Sequence, residues 1–273
     1  MNSVTSAGHQ ARGAARQATN SRTFERLTRF GMACRGVLYA LIGILALQIA
    51  FGGGGKEADK TGAVRTVAEQ PFGTVLLWLL AIGFLALALW QASEALMGGR
   101  KAKDRVEAVA HTVVYALAVG TILSFLLRGT TGSSTDEQSK DLTATVMDWP
   151  GGQIIVGAVG LGVIALGLYW IYQGVKKKFC EHLRTGEMSP KTRGVVEKLG
   201  MVGYCARGVI AAAAGVFLMQ SAITYDPEEA KGIDSTLRSL ADTPLGPWLL
   251  VVVALGLVVF AVYCFCESRW RRT

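Results

Sequence analysis

The sequence predicts an all-α, polytopic membrane protein in which six transmembrane helices form three tandem helical hairpins with a pseudo-threefold arrangement. Three observations support this fold class: six long apolar stretches, similarities within the chain at constant offsets, and a short amphipathic segment in each outer connection. The 273 residues are 51% hydrophobic and include only 20 acidic side chains, which is unusual for a soluble domain of this length.

Each apolar stretch is about 20 residues long or slightly longer, the length at which an α-helix crosses roughly 30 Å of hydrocarbon. Helices are expected because they satisfy their own backbone hydrogen bonds where no water is available. The stretches lie near residues 31–51, 73–97, 107–127, 153–175, 200–223 and 246–266.

The charges predict the topology. Lys and Arg concentrate in the N-terminal tail, near 98–105, near 176–198 and after 267, while most acids lie in the other three connections. The positive-inside rule therefore places both termini in the cytoplasm. The net charge of +8 is explained by topology and by attraction to membrane lipids, so no nucleic-acid partner is expected. For residues 1–23, a disordered basic cytoplasmic tail is favoured over a transit peptide.

The chain repeats itself three times, as residues 24–97, 106–175 and 196–269. The first and third hairpins match at an offset of 172 in their first helices and 173 in their second. These matches include Arg35-Gly36 with Arg207-Gly208, Gly43 with Gly215, Pro71 with Pro244, Gly83 with Gly256, and Glu94 with Glu267. The middle hairpin is more diverged, and it carries His111 at the arginine position and Gln173 at the glutamate position. Tandem repeats of two spans share one orientation, so a pseudo-threefold bundle is expected, with a linear array as the alternative.

Each outer connection contains apolar residues three or four positions apart before a proline, which predicts a short amphipathic helix on the outer face. These residues are Val64, Val67 and Ala68; Leu142 and Val146; and Leu237, Leu240 and Ala241. Glycines within the spans are expected to allow close helix contact. They are Gly43, Gly83, Gly162, Gly215 and Gly256.

Three tandem hairpins resemble the bacterial membrane family called domain of unknown function 1206. The resemblance rests on an Arg-Gly near the start of the first helix, a Pro and a Gly opening the second, and an aromatic residue four positions before a Glu near its end. It covers nearly the whole chain after the tail. It implies a bacterial plasma-membrane location and no assigned activity, and it carries no catalytic or binding residue onto this sequence.

The candidate site is an intramembrane polar layer consisting of Arg35, Glu94, His111, Gln173, Arg207 and Glu267. Charges inside a membrane are costly and usually pair or face a cavity. Where His111 replaces the arginine, a glutamine also replaces the glutamate, which suggests that the two positions touch. We therefore expect Arg35 to lie beside Glu94. Arg207 should lie beside Glu267, although neighbouring hairpins could exchange partners.

Aromatic residues flank this layer: Tyr39, Trp90, Tyr115, Tyr169 and Tyr263. They are interpreted as packing residues rather than a ligand cage. His111 is interpreted as a packing histidine, with a proton-responsive role as the alternative. The charged pairs either staple the hairpins together or close the cytoplasmic end of a pathway.

No catalytic residues, metal-ligand spacing or cofactor motif is evident, so an enzyme is not expected. The preferred function is that of a structural or interaction protein of the cell envelope whose protein partner, if any, the sequence leaves unnamed. The alternative is a transporter or channel for a small solute or ion with a charged cytoplasmic gate. A dry bundle would favour the first, and a continuous polar path the second.

Overall fold

The computed structural model describes residues 22–52, 57–97, 102–129, 133–241 and 246–271. These residues form six long helices that are apolar enough to cross a membrane, as predicted. The long helices are α1 (Arg22–Ala50), α3 (Gly73–Met97), α4 (Ala102–Arg128), α6 (Gly152–Val175), α7 (Pro190–Thr224) and α9 (Gly246–Trp270). The expected tail lies outside the described residues, except that its last two residues begin α1.

One short helix follows the first span of each hairpin, also as predicted. We call α2 (Lys60–Ala68), α5 (Thr135–Met147) and α8 (Ile233–Ala241) the cap helices. They define the cap side of the molecule, and the opposite side, where α1 begins and α9 ends, is the terminal side. The expected apolar face is buried at Val64, Val67 and Leu237. In α5, however, Leu142 is exposed, and Thr143 and Met147 face inward instead, because the buried stripe is displaced by one residue.

The closest helix packing joins neighbouring repeats rather than the two spans of one hairpin. The second span of each repeat packs on the first span of the next: α3 on α4, α6 on α7, and α9 back on α1. The contact of α9 with α1 closes the order into a ring and excludes a linear array. Helices α1 and α3 also pack together, as do α7 and α9, but α4 and α6 of the middle hairpin do not pack along their length. The pseudo-threefold ring is therefore open on one side.

Glycines spaced seven residues apart bring the backbones of α6 and α7 together. A methyl group at Gly167 would lie 2.5 Å from the Ala212 nitrogen and 2.6 Å from the Gly208 oxygen. Gly160 and Gly174 make similarly close approaches to α7 one heptad to either side. Backbone contact of this kind maximises van der Waals packing where lipid offers no hydrophobic driving force.

Four of the five glycines predicted to allow close contact do so: Gly43, Gly83, Gly215 and Gly256. The prediction is wrong for Gly162, because a methyl group added there would have no neighbour within 4 Å. Gly162 faces away from α7, whereas Gly160 and Gly167 face it.

The cap helices are held together by a ring of aspartates. An aspartate at the start of each cap helix accepts a hydrogen bond from a backbone N–H at the start of the next repeat's cap helix. The three bonds run from Thr135 to Asp59 (3.0 Å), from Ser235 to Asp136 (3.0 Å) and from Ala58 to Asp234 (2.7 Å). Carboxylates are favourable at helix N-termini, where backbone N–H groups lack partners and the helix dipole is positive. Three helix starts thus converge on three carboxylates.

Within this aspartate ring, Asp136 has an unfavourable environment for its charge. Burial raises the pKa of Asp136, and the nearby Asp234 and Asp59 carboxylates raise it further, against the hydrogen bonds from Ser235 that lower it. One oxygen of Asp136 is buried without a hydrogen-bond partner among the described residues. The protonated form of this side chain is therefore favoured by folding.

We expect Gly167→Ala to destabilise the protein by about 1–3 kcal/mol, because the added methyl group forces α6 away from α7. The matched control is Gly162→Ala on the same helix, which should change stability by less than about 0.5 kcal/mol. Thermal unfolding in detergent measures both. Equal effects of the two substitutions would contradict this account of the α6–α7 contact.

Asp136→Asn keeps an oxygen that accepts from Ser235 and removes the charge. A carboxyl whose pKa rises on folding favours the folded state when protonated, and this stabilisation is lost as pH rises through the raised pKa. We therefore expect the variant to melt above the wild type at about pH 8. The difference should shrink as pH falls toward the ordinary aspartate range near about 4. A variant that melts below the wild type by the same amount at every pH would show that the charge of Asp136 does not destabilise the folded state.

Candidate functional site

The predicted polar residues lie inside the bundle toward its terminal side. Five of them are buried, and Glu94 on α3 is half-buried. The buried five are Arg35, His111, Gln173, Arg207 and Glu267.

Arg35 on α1 and Glu267 on α9 form a buried ion pair. The Arg35 guanidinium donates through Nη2 to one carboxylate oxygen of Glu267, and through Nη1 to the Tyr115 hydroxyl oxygen at 2.9 Å. Arg271, one turn after Glu267, donates to the other carboxylate oxygen. The Glu267 side chain is only 1% exposed. Because Arg35, Tyr115 and Glu267 belong to the first, second and third repeats, this network connects all three.

This is not the pairing that we expected from the sequence. Arg35 bonds to the glutamate of the third hairpin instead of Glu94 in its own, and Arg207 bonds to His111 instead of Glu267. The Arg35–Glu267 pair instead agrees with the alternative, in which neighbouring hairpins exchange partners. The physical reason is the ring order, in which the first span of each repeat packs most closely on the second span of the repeat before it.

The same ring order matches the first-span position of each repeat with the second-span position of the repeat before it. The three boundaries then carry three different pairs of residue types. The corresponding positions are Arg35 with Glu267, His111 with Glu94, and Arg207 with Gln173. The joint replacement in the middle hairpin therefore affects two separate boundaries. It leaves the cation Arg207 opposite an amide rather than a carboxylate.

Arg207 occupies a site formed mainly by aromatic rings. Its guanidinium carbon lies 3.7 Å from the Trp170 ring centroid, and farther from those of Phe260 (5.6 Å) and Tyr39 (6.0 Å). Its Nη2 lies 3.0 Å from His111 Nε2. Since arginine can only donate, His111 accepts this bond through Nε2, which requires a neutral imidazole. The cation is thus held by an aromatic face and one neutral acceptor.

The aromatic residues predicted to flank the layer have different positions. Tyr39, Tyr115 and Tyr263 lie in the interior, and Tyr39 packs edge-on against Phe260 with centroids 4.8 Å apart. Trp90 lies under the Arg271 guanidinium at 4.5 Å. Tyr169 is half-buried, and the ring next to Arg207 is that of the neighbouring residue.

Sequence reasoning missed three contributors to the site, namely Trp170, Tyr204 and Arg271. Tyr204 stacks on Phe179 at 5.3 Å, and it precedes Arg207 by three positions, which places it on the same helix face. Trp170 has the same spacing before Gln173. That periodicity could have identified both rings, but the repeat alignment pointed to Tyr169 because Trp90 occupies its equivalent position.

The segment between α6 and α7 closes the terminal side of the site. We call residues 178–188 the plug loop; Phe179 and Leu183 within it are buried. Phe179 occupies the space beside Gly200, where a methyl group would lie 2.3 Å from its ring. The Arg184 backbone donates to the Trp270 carbonyl at 2.7 Å, which ties the loop to the end of α9.

In the described part of the chain, no group of three or more His, Cys, Asp or Glu side chains is placed to hold a metal ion. The five cysteines, Cys34, Cys180, Cys205, Cys264 and Cys266, are free thiols.

Comparison with known proteins identifies the repeats independently. The sequence pattern of a family described as Domain of Unknown Function (DUF1206) matches residues 30–98, 106–177 and 202–271. The chain is 30% identical over 254 residues to "Uncharacterized protein YxxB" of Bacillus subtilis (strain 168), covering 90% of this chain and 91% of that protein. No solved structure matches the chain significantly. The three matched segments coincide with the three hairpins and confirm the tandem repeat.

We expect Arg35→Gln to destabilise the protein by about 3–5 kcal/mol, because it leaves the Glu267 carboxylate buried with a weakened set of partners. Adding Glu267→Gln should restore part of that loss, since two neutral amides can hydrogen-bond without desolvating a charge. The control is Arg35→Gln with Glu94→Gln, which should give no such recovery. Strict additivity for both combinations in thermal unfolding would exclude the direct pair.

Proposed function

The chain belongs to the DUF1206 family, and we propose that it is a structural or interaction protein of the bacterial cell envelope. In this proposal it resides in the plasma membrane with both termini cytoplasmic, uses no cofactor and catalyses no reaction. The observation that carries the proposal is the buried network of Arg35, Tyr115 and Glu267, which joins the three repeats inside the bundle.

The interior between the polar layer and the cap side supports this role. Residues of α1 and α9 fill it with aliphatic side chains, which continue without a break to the cap helices. They include Ile42, Leu45, Ala46, Leu250, Ala254 and Leu257 from the spans, and Ala63 and Leu237 from the caps. A conduit for a polar solute would need polar groups along this stretch, because desolvating the solute without new partners is costly.

Both ends of the bundle are covered in a manner that suits a static scaffold. The plug loop packs Phe179 and Leu183 over the terminal side, and the Arg184–Glu25 ion pair at 3.3 Å connects this loop to α1. The aspartate ring covers the cap side with hydrogen bonds from one repeat to the next. A charged gate would be expected to face water on at least one side, whereas the Arg35–Glu267 pair is enclosed by protein.

The basic residues of the terminal side support its assignment to the cytoplasm. Lys176, Lys177 and Lys178 follow α6, and Lys191 and Lys198 lie at the start of α7. The connections on the cap side carry fewer Lys and Arg residues, which by the positive-inside rule suits an outer face.

A cysteine-labelling experiment tests whether the interior is dry. In a variant whose five cysteines are replaced by serine or alanine, Leu257→Cys should resist a membrane-impermeant thiol reagent added from either side, because Leu257 is 1% exposed. The positive control is Gly186→Cys in the plug loop, where the position faces open space. Gly186→Cys should be labelled in broken cells and protected in intact ones.

The two positions report on different parts of the proposal. Rapid labelling of Leu257→Cys would favour a transporter or channel with a hydrated pathway. Labelling of Gly186→Cys in intact cells would reverse the proposed topology without bearing on whether the interior is dry.

A further inference from the structure

Arg207 is a buried cation to which no carboxylate of the described residues is bonded. Arg207 is 9% exposed, and within the described part of the chain it donates one hydrogen bond, to the neutral His111. Arginine stays protonated under all physiological conditions, so it cannot escape the cost of burial by losing its proton. Arg35, at the equivalent position, has the Glu267 carboxylate. Arg207 therefore has binding capacity for an anion that Arg35 does not.

The open side of the ring leads to this cation. Helix α4 buries one stripe of residues against α3, and α6 buries one stripe against α7. Helices α4 and α6 do not pack against each other along their length. On α6, a methyl group added at Gly162 would meet nothing within 4 Å, so no side chain of α4 fills the space there. We call the space between these helices the lateral crevice.

The walls of the lateral crevice meet at the Arg207 site. His111 from α4 and Trp170 from α6 approach with ring centroids 6.2 Å apart, and the guanidinium of Arg207 contacts both. His111 lies six residues from Arg105, and Trp170 six residues from Lys176, so the site is about 9 Å below the nearest basic residue of each helix. Arginine side chains point toward the helix N-terminus, which in α7 is the terminal side.

We propose that the lateral crevice binds an anionic phospholipid, whose phosphate pairs with Arg207 and whose acyl chains lie between α4 and α6. The crevice lies between two membrane-spanning helices and opens sideways, which gives lipid of the surrounding bilayer direct access to it. Its walls expose aliphatic side chains such as Val114, one turn from His111 on α4, and Val159, on the same face of α6 as Trp170. A lipid is thus the source of phosphate with direct access.

The chemistry of the site suits a phosphate oxygen. Trp170 covers one face of the guanidinium, so an anion approaches its edge, where the planar N–H groups can donate two parallel hydrogen bonds. Gln173, buried nearby on α6, is neutral and does not compete for the cation as a glutamate would. An anionic headgroup supplies the missing counter-charge, whereas a zwitterionic one carries its own.

The test uses the full-length protein purified in a mild detergent, with phosphatidylglycerol, phosphatidylcholine and inorganic phosphate as separate probes. Native mass spectrometry measures bound lipid, and thermal unfolding measures stabilisation. We expect phosphatidylglycerol to bind at least about tenfold more tightly than phosphatidylcholine and to raise the melting temperature by about 5 °C. Inorganic phosphate should have no such effect, since it lacks the acyl chains.

Two variants and a control assign the effect to the site. Arg207→Gln should abolish the preference for phosphatidylglycerol. Gln173→Glu restores the glutamate of the other repeats, so it should reduce the preference about tenfold while the lipid-free melting temperature stays at or above that of the wild type. Lys198→Gln removes an exposed cation from the terminal end of the same helix and should leave binding within about twofold.

Gln173→Glu keeps the proposal testable even if Arg207→Gln fails to fold. An undiminished preference for phosphatidylglycerol in Gln173→Glu, or an equal loss in Lys198→Gln, would overturn the assignment to Arg207. Stabilisation by inorganic phosphate that equals that of phosphatidylglycerol would overturn the lipid in favour of a free anion.

Discussion

The ion pair between Arg35 and Glu267 is the constraint on which the rest of the architecture depends. Each charge alone would be costly at this depth, so neither the first nor the last span is stable there without the other. Because these spans lie at opposite ends of the sequence, satisfying the pair closes three consecutive hairpins into a ring. Tyr115 then fixes the middle repeat to the same guanidinium.

Other features of the fold make that closure possible or reinforce it. Glycine beside each arginine lets the first span approach the preceding repeat: a methyl group at Gly36 would lie 3.1 Å from the Ala261 carbonyl oxygen, and one at Gly208 would lie 2.6 Å from that of Gly167. On the cap side, the aspartate ring repeats the same order with hydrogen bonds, each repeat bonding to the next. The two ends of the bundle therefore encode one cyclic arrangement with unrelated chemistry.

Much of the fold could be predicted from the sequence, because hydropathy, charge distribution and constant offsets each report on it separately. The spans, the cap helices and the three repeats follow from these patterns. The partner of Arg35 could not be predicted, since internal similarity identifies equivalent positions but not which repeats are in contact. Similarly, alignment selected Gly162 and Tyr169 as equivalents of Gly83 and Trp90, whereas the direction each residue faces on α6 assigns the contacts to Gly167 and Trp170.

The middle repeat departs from symmetry in both sequence and packing, and the two departures have a common consequence. Replacing the arginine by His111 and the glutamate by Gln173 changes two boundaries at once, and neither retains the arginine–carboxylate pair that joins α1 to α9. The same hairpin is the one whose spans do not pack together. The fold can tolerate this opening because the Arg35–Glu267 pair joins α1 to α9 and the aspartate ring joins all three repeats. The opening in turn places Arg207 at the only site in the described polar layer where a buried arginine lacks a carboxylate from the protein itself.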